Sequence, residues 1–423
     1  MDFGSMSAAR IRASIVKGDF TAEDTSGHFI NAAKNENSRL NCIISFADSY
    51  TAKSAEIIRQ KIANGIKPGR LAGVPIVIKD NIITKDLRTT CGSHILEDFI
   101  PPYNASVIEA LLEEDAIIIG KSNMDEFGMG SSNEHSYFGI VPNPINPEYV
   151  PGGSSGGSAC AVAAELAPLA LGTDTGGSVR QPASFCGIVG MKPSYGAVSR
   201  YGLVAFGSSF DQIGPMARTV EDCALLFSVI SKHDPRDSTS KDFERADYMQ
   251  ALEINRKLRI GIPKEYMSEG IDSEVLEAVQ NAIEKTGEMG NEIEDISLPH
   301  IKQSIAAYYT IANAEASSNL SRFDGVRYGY RSIENDDLAE MYIRTRSEGF
   351  GAEVKRRIML GTYSLSAGYY HRYYLKAAQV REIIKNDFQN AFQNIDLIMT
   401  PTCPTTAFKI GEKIENPLAM YLS

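Results

Sequence analysis

The spacing of apolar positions changes repeatedly along the chain, and each change marks an element. Val74-Pro75-Ile76-Val77-Ile78 is a short apolar run ending at Lys79-Asp80. Such a run, bounded by polar residues, predicts a buried strand with a charged tip. Asn41 to Phe46 predicts another strand, Val107 to Glu114 a helix, and Ala116 to Gly120 a further strand. The alternation continues with a helix over 156–166, a strand over 168–173 and a helix over 219–231. A strand over 257–263, a helix over 273–288 and a strand over 292–297 follow. Strands alternating with helices in this way predict an α/β fold, a buried sheet covered by helices.

The N-terminal segment, 1–65, reads as mainly helical, with Thr21 as an N-cap before Glu23 and Asp24. Residues 301–395 read as a helical excursion rich in tyrosine, and Asp396 to Thr400 as a last strand. The polar stretch His233 to Asp247 reads as a loop or weak boundary. With no internal repeat and no clear linker, the expectation is a single domain over 1–423, its core lying at 66–230 and 255–405.

Composition narrows the function. The 423 residues suffice for a large core, and 43% apolar with 22% charged residues is ordinary for a globular chain. The net charge of −11 argues against this chain alone gripping a phosphate backbone, which needs clustered Lys and Arg. The six cysteines form no C-x-x-C pair, so neither a disulfide framework nor a zinc site is expected. The first residues do not have the form of a signal peptide, and no apolar stretch approaches the roughly 18 residues of a membrane span. A cytoplasmic location is the expectation.

The candidate chemistry sits in two glycine-rich serine clusters. One is Pro151-Gly152-Gly153-Ser154-Ser155-Gly156-Gly157-Ser158, the other Gly172-Thr173-Asp174-Thr175-Gly176-Gly177-Ser178-Val179-Arg180. Glycines around a serine let a substrate approach bare main-chain N–H groups, as a serine nucleophile with an oxyanion hole requires. A Ser–His–Asp triad would need a histidine, and none of the six sits in a glycine-rich or strand-end context. Gly153-Ser154-Ser155-Gly156-Gly157 fits the G-x-S-x-G elbow of α/β-hydrolases, with Ser155 as nucleophile, but that leaves the second cluster unexplained. A desolvated lysine can also act as base. Lys79, at the end of its apolar run, is the best candidate; the alternative is a solvated lysine paired with Asp80. Asp174 and Arg180 are expected to bond loops and each other, and Ser155 and Ser158 to bond neighbouring backbone.

Taken together, Lys79, the Gly-Gly-Ser-Ser-Gly-Gly cluster and the Gly-Gly-Ser-Val-Arg segment resemble the amidase signature family. The resemblance implies a central mixed sheet covered by helices on both faces. It implies Ser178 as nucleophile, Ser154 as relay behind a cis peptide bond, and Lys79 as ultimate base. It further implies an oxyanion hole formed by the N–H groups of Thr175, Gly176, Gly177 and Ser178.

Other segments are similar to one branch of that family, the A subunits of glutamyl-tRNA(Gln)/aspartyl-tRNA(Asn) amidotransferases. They include Lys121 to Ser132, Ser199 to Ala205, Asp211 to Pro215 and Ser318 to Gly325. This resemblance implies glutamine as substrate, with Met129, Gly130, Ser131, Tyr308 or Tyr309, and Arg357 (or Arg356) in the pocket. The arginine would take the substrate carboxylate. It implies partner subunits B and C in a heterotrimer, ATP and magnesium in the partner, tRNA held mainly by the partner, and no cofactor or metal in this chain. Members of the branch extend beyond the point matching Ser423, so the C-terminus reads as truncated. The alternatives are a stand-alone amidase acting on another small or acyl amide, and a non-catalytic subunit retaining the fold.

Overall fold

The computed structural model describes residues 3–244, 246, 248–253, 256–267, 270–333 and 337–422. The chain forms two compact units. Met1–Leu252 with Ser321–Lys355 make the first, and Glu253–Leu320 with Arg356–Ser423 the second.

The first unit is built on a mixed sheet. Its strands are β1 (Ile43–Phe46), β2 (Pro75–Lys79), β3 (Ile117–Ser122), β4 (Leu169–Asp174), β5 (Val189–Gly190) and β6 (Gln212–Ala217), in the order β1-β3-β2-β4-β6-β5. Strand β2 runs parallel to both β3 and β4, while β1, β5 and β6 pair antiparallel. Every residue of β2, β3, β4 and β6 is buried. Burial on both faces explains the unbroken Val/Ile/Leu runs, because a parallel pair needs helices on each side. Among those helices, Gly156–Ala163 lies on β4, with Ser158 Oγ donating to the Leu171 carbonyl at 3.0 Å. Its first turn also passes close to the chain beside β1 and β3, which needs glycine: a Cβ at Gly157 would stand 2.7 Å from the Cys42 carbonyl oxygen and from Asn123 N.

The apolar spacing located most of these elements, with three departures. The helix predicted over 156–166 ends at Ala163, and neither β5 nor β6 was predicted. Gly214 and Pro215 break the pattern of a strand. Yet Gly214 is needed because a Cβ would run into the Met191 carbonyl, and the Pro215 carbonyl accepts from Met191 N at 3.1 Å. The described residues of 233–247 carry no helix or strand; Arg245 and Asp247 lie outside them.

The second unit has its own sheet. Strands β7 (Arg259–Pro263), β8 (Glu292–Ile296) and β9 (Leu397–Ile398) are all parallel, in the order β8-β7-β9. Helix Ser273–Glu288 connects β7 to β8. The predicted strands over 257–263 and 292–297 thus exist, but they pair with each other and not with β2 or β4. The expected helical excursion appears as helices Ser304–Asn319, Leu338–Gly349, Ala352–Leu365 and Tyr374–Ala391, of which Leu338–Gly349 belongs to the first unit.

Candidate active site

The parallel pairing of β2 with β4 brings both sequence clusters to one place. Ile78 lies opposite Leu171, so the carboxyl end of β2 brings Lys79 level with Gly172, where the second glycine-rich cluster begins. Lys79 is fully buried. Its Nζ lies 2.7 Å from Ser154 Oγ, 2.7 Å from Ser155 Oγ and 3.3 Å from the Thr173 carbonyl oxygen. Burial pushes its pKa down to about 7, against the opposing pull of Asp125, Asp174 and Asp211. The competing reading, a solvated lysine paired with Asp80, fails on geometry. The Asp80 carboxylate turns away to accept from the Thr90 N–H at 2.8 Å and from the Thr90 hydroxyl, and Lys121 Nζ stands 3.7 Å from it. The pair Asp80–Lys121 is itself fully buried.

Ser154 is buried, and the Gly153–Ser154 peptide is cis, as the family resemblance implied. Glycine is required before it. A Cβ at Gly153 would reach the Asp125 carboxylate and stand 2.7 Å from Ser132 N. Asp125 organises the neighbouring loop, accepting from Asn133 N at 2.9 Å and His135 N at 3.1 Å, while its own N–H donates to the Ser154 carbonyl at 3.3 Å. Within that loop Phe127 (φ 51°) and Gly128 (φ 79°) turn left-handed, which sets the position of Met129, Gly130 and Ser131. Met129 is buried, and Gly130 and Ser131 are half-buried.

Ser178 is half-buried, and its carbonyl accepts from Ser155 N at 3.2 Å. The two clusters are therefore in contact through main chain. Among the described residues the Ser178 hydroxyl makes no hydrogen bond, so the Ser154–Ser178 relay step is a proposal. Asp174 shapes the loop before Ser178. Its carboxylate accepts from Gly177 N (2.8 Å), Val179 N (3.2 Å), Arg180 Nε (3.0 Å) and Arg180 Nη2 (2.9 Å). Burial raises the Asp174 carboxyl, but Arg180 and the two N–H groups outweigh it and hold it below its ordinary value. One expected oxyanion donor is occupied: the Gly177 N–H is committed to Asp174 at 2.8 Å, so Thr175, Gly176 and Ser178 remain as candidates. Sequence could not reveal this, because the direction of an N–H depends on the turn and not on residue type.

Ser155 does more than bond backbone. Its Oγ accepts from Thr173 N at 3.2 Å, lies 3.3 Å from Thr173 O, and meets Lys79 as closely as Ser154 does. It is completely buried and bonded on all sides, unsuited to meet a substrate. Two of the histidines are engaged elsewhere: His94 packs between Tyr137 and Tyr330, and His300 pairs with Asp387. Among the described residues no group of three His, Cys, Asp or Glu side chains could hold a metal ion. No helix there is long and apolar enough to cross a membrane.

The second unit carries the other expected pocket residues. Arg357 is 3% exposed, its guanidinium 5.4 Å from the Tyr309 ring and 5.1 Å from the Tyr421 ring. Those two rings stack at 4.2 Å, and Tyr308 meets Tyr309 edge-on at 5.0 Å. Arg356 is half-buried. A stacked guanidinium keeps its planar fork fixed. Tyr421 was not singled out from sequence, since it is far from the motif.

A desolvated lysine, a buried serine on a cis peptide and a second serine on a glycine-rich loop define a serine amidohydrolase site. The Amidase family profile matches residues 26–423, and the chain belongs to that family. It is 56% identical, over all of its length and 87% of the relative's, to the A subunit of glutamyl-tRNA(Gln) amidotransferase from Carboxydothermus hydrogenoformans. Identity to the protein of the same description from Thermoanaerobacter pseudethanolicus is 52%, with the same coverage. The crystal structure of the glutamyl-tRNA(Gln) amidotransferase A subunit from Thermotoga maritima superimposes with a TM-score of 0.80 at 40% identity, covering 100% of this chain and 84% of that one.

Proposed function

We propose that this chain is the glutamine-hydrolysing component of a tRNA-dependent amidotransferase, working with partner subunits B and C, and that Ser178 is its nucleophile. The chemistry is carried by one observation: a fully buried Lys79, held near neutrality, 2.7 Å from Ser154 Oγ. The substrate follows from the amidotransferase relatives.

Neutral Lys79 Nζ takes the Ser154 hydroxyl proton as Ser154 Oγ takes that of Ser178. Ser178 Oγ bonds the side-chain amide carbon of glutamine, and the carbonyl electron pair moves onto oxygen. That oxyanion is met by the N–H groups of Thr175, Gly176 and Ser178; losing one such donor typically costs roughly 2.7–4 kcal/mol. As the C–N bond breaks, the nitrogen regains a proton along the same relay and leaves as ammonia. Water then cleaves the ester, releasing glutamate and restoring Ser178. By likeness to those relatives, Arg357 is the candidate for the glutamine carboxylate, and Met129, Gly130, Ser131 and Tyr309 are the other candidate substrate contacts. Ammonia passes to the partner, where ATP and magnesium activate the aminoacyl-tRNA. The charge of −11 fits tRNA being held there, in the cytoplasm, and not on this chain.

The test is glutamate release by the assembled complex. Activity should rise when Glu-tRNA or Asp-tRNA is added and vanish in Ser178→Ala. Broad amide turnover by the chain without partners would instead identify a stand-alone amidase.

A further inference from the structure

The antiparallel register of β4 and β6 places Asp174 opposite Gln212, so the next pair outward is Thr175 and Asp211. The side chains meet: Thr175 Oγ1 donates to Asp211 Oδ1 at 2.6 Å. The rest of the Asp211 carboxylate is occupied by the preceding turn, accepting from Phe206 N at 2.9 Å and from Gly207 N at 3.0 and 3.1 Å. Asp211 is 3% exposed. It thus anchors the first residue of the oxyanion loop, while Asp174 anchors Gly177 and Val179 at the other end.

We propose that Asp211 is a positioning residue for the oxyanion hole: its carboxylate, through the Thr175 hydroxyl, fixes the main-chain N–H groups that receive the developing charge. This rests on the reading of Ser178 and its loop given above. An ionised carboxylate accepts from all three partners at once, whereas a protonated one carries a hydrogen on one oxygen and loses an acceptor. The hold on Thr175 therefore depends on ionisation. Burial pushes Asp211 up to about 6, against the opposing effects of Thr175, the two N–H groups and Arg200. The charged groups facing it are Arg200, Lys79, and Arg236 and Asp237 across a cavity of about 220 Å³ that reaches Asp211. The cavity gives the proton its path.

The test uses the assembled complex with glutamine. Asp211→Asn and Thr175→Val should each lower kcat about tenfold with KM nearly unchanged. The double variant should be no slower than the slower single one, and Thr175→Ser should retain activity. Near pH 6, log kcat of the unaltered enzyme should climb with a slope clearly above 1, because Lys79 and Asp211 both titrate. In Asp211→Asn the slope should fall to near 1. Unchanged kcat in both single variants, fully multiplicative losses, or an unchanged slope would overturn the proposal. Ser178→Ala runs alongside: if it hydrolyses glutamine, the reading of the nucleophile fails; if it is dead while Asp211→Asn is normal, only the role of Asp211 fails.

Discussion

The buried lysine makes the sharpest prediction. Only its neutral form can take a proton, and burial sets that equilibrium near pH 7. With a pKa of about 7, roughly one lysine in eleven is neutral at pH 6 and roughly ten in eleven at pH 8. Single-turnover glutamate release should therefore rise about tenfold between those pH values from this group alone. Lys79→Arg keeps a charge that cannot be shed, so kcat should fall by about 10²–10⁴. The same burial costs stability. Because the folded pKa is depressed, the unfolded chain binds more protons between pH 7 and 10.5, and stability should rise with pH across that window. The difference between 10.5 and about 7 corresponds to roughly 4–5 kcal/mol at neutral pH. Lys79→Met removes that cost but takes the lysine from the Ser154 hydroxyl and from the Ser155 hydroxyl, which keeps Thr173, at about 1 kcal/mol each. The inactive variant should therefore be more stable by about 2 kcal/mol in denaturant melts at pH 7. A rate independent of pH from 6 to 8, or an active Lys79→Arg enzyme, would refute the assignment of Lys79 as base.

Three further substitutions probe other groups. Gly153→Ala puts a Cβ 2.7 Å from Ser132 N and 2.9 Å from Ser131 C, backbone that cannot yield cheaply. Calorimetry should register a loss of about 1–3 kcal/mol, and glutaminase activity should fall sharply. Ser155→Ala should slow kcat about tenfold and lower stability by about 1–3 kcal/mol, since Thr173 N loses its buried acceptor. Complete loss of acylation in Ser155→Ala, with activity kept in Ser178→Ala, would favour the nucleophile elbow instead. Arg357→Lys forfeits the guanidinium contact with the paired Tyr309 and Tyr421 rings and should raise the glutamine KM about tenfold at similar kcat, as read by initial rates.

What the sequence disclosed follows from the range of the interactions involved. The run Val74–Ile78 could be read as a buried strand because its burial is written in its own residues, and β2 ends at Lys79 as that run does. Helix Ser273–Glu288 appears at the limits its periodicity set. Pairing was hidden. Nothing local tells β7 that it joins β8 and β9 in a separate sheet, or that β6 exists around Gly214 and Pro215. The site shows the same division. Lys79, Ser154 and Ser178 stand out by residue type and glycine context, and the chain brings them to the ends of two adjacent strands. The roles of Asp125, Asp174 and Asp211 depend on which N–H groups their carboxylates meet, and a turn decides that. Arg357 was legible through its motif, but its place beside a pair of stacked tyrosine rings, one from the far C-terminal segment, was not.

The central claim is that the serine on the second glycine-rich loop forms the covalent intermediate. The direct measurement is rapid quenching of the complex during glutamine turnover, followed by peptide mass mapping. A γ-glutamyl ester on Ser178, absent in Lys79→Arg, is the predicted result. An ester on Ser155, or steady hydrolysis by Ser178→Ala with no ester on any serine, would contradict it.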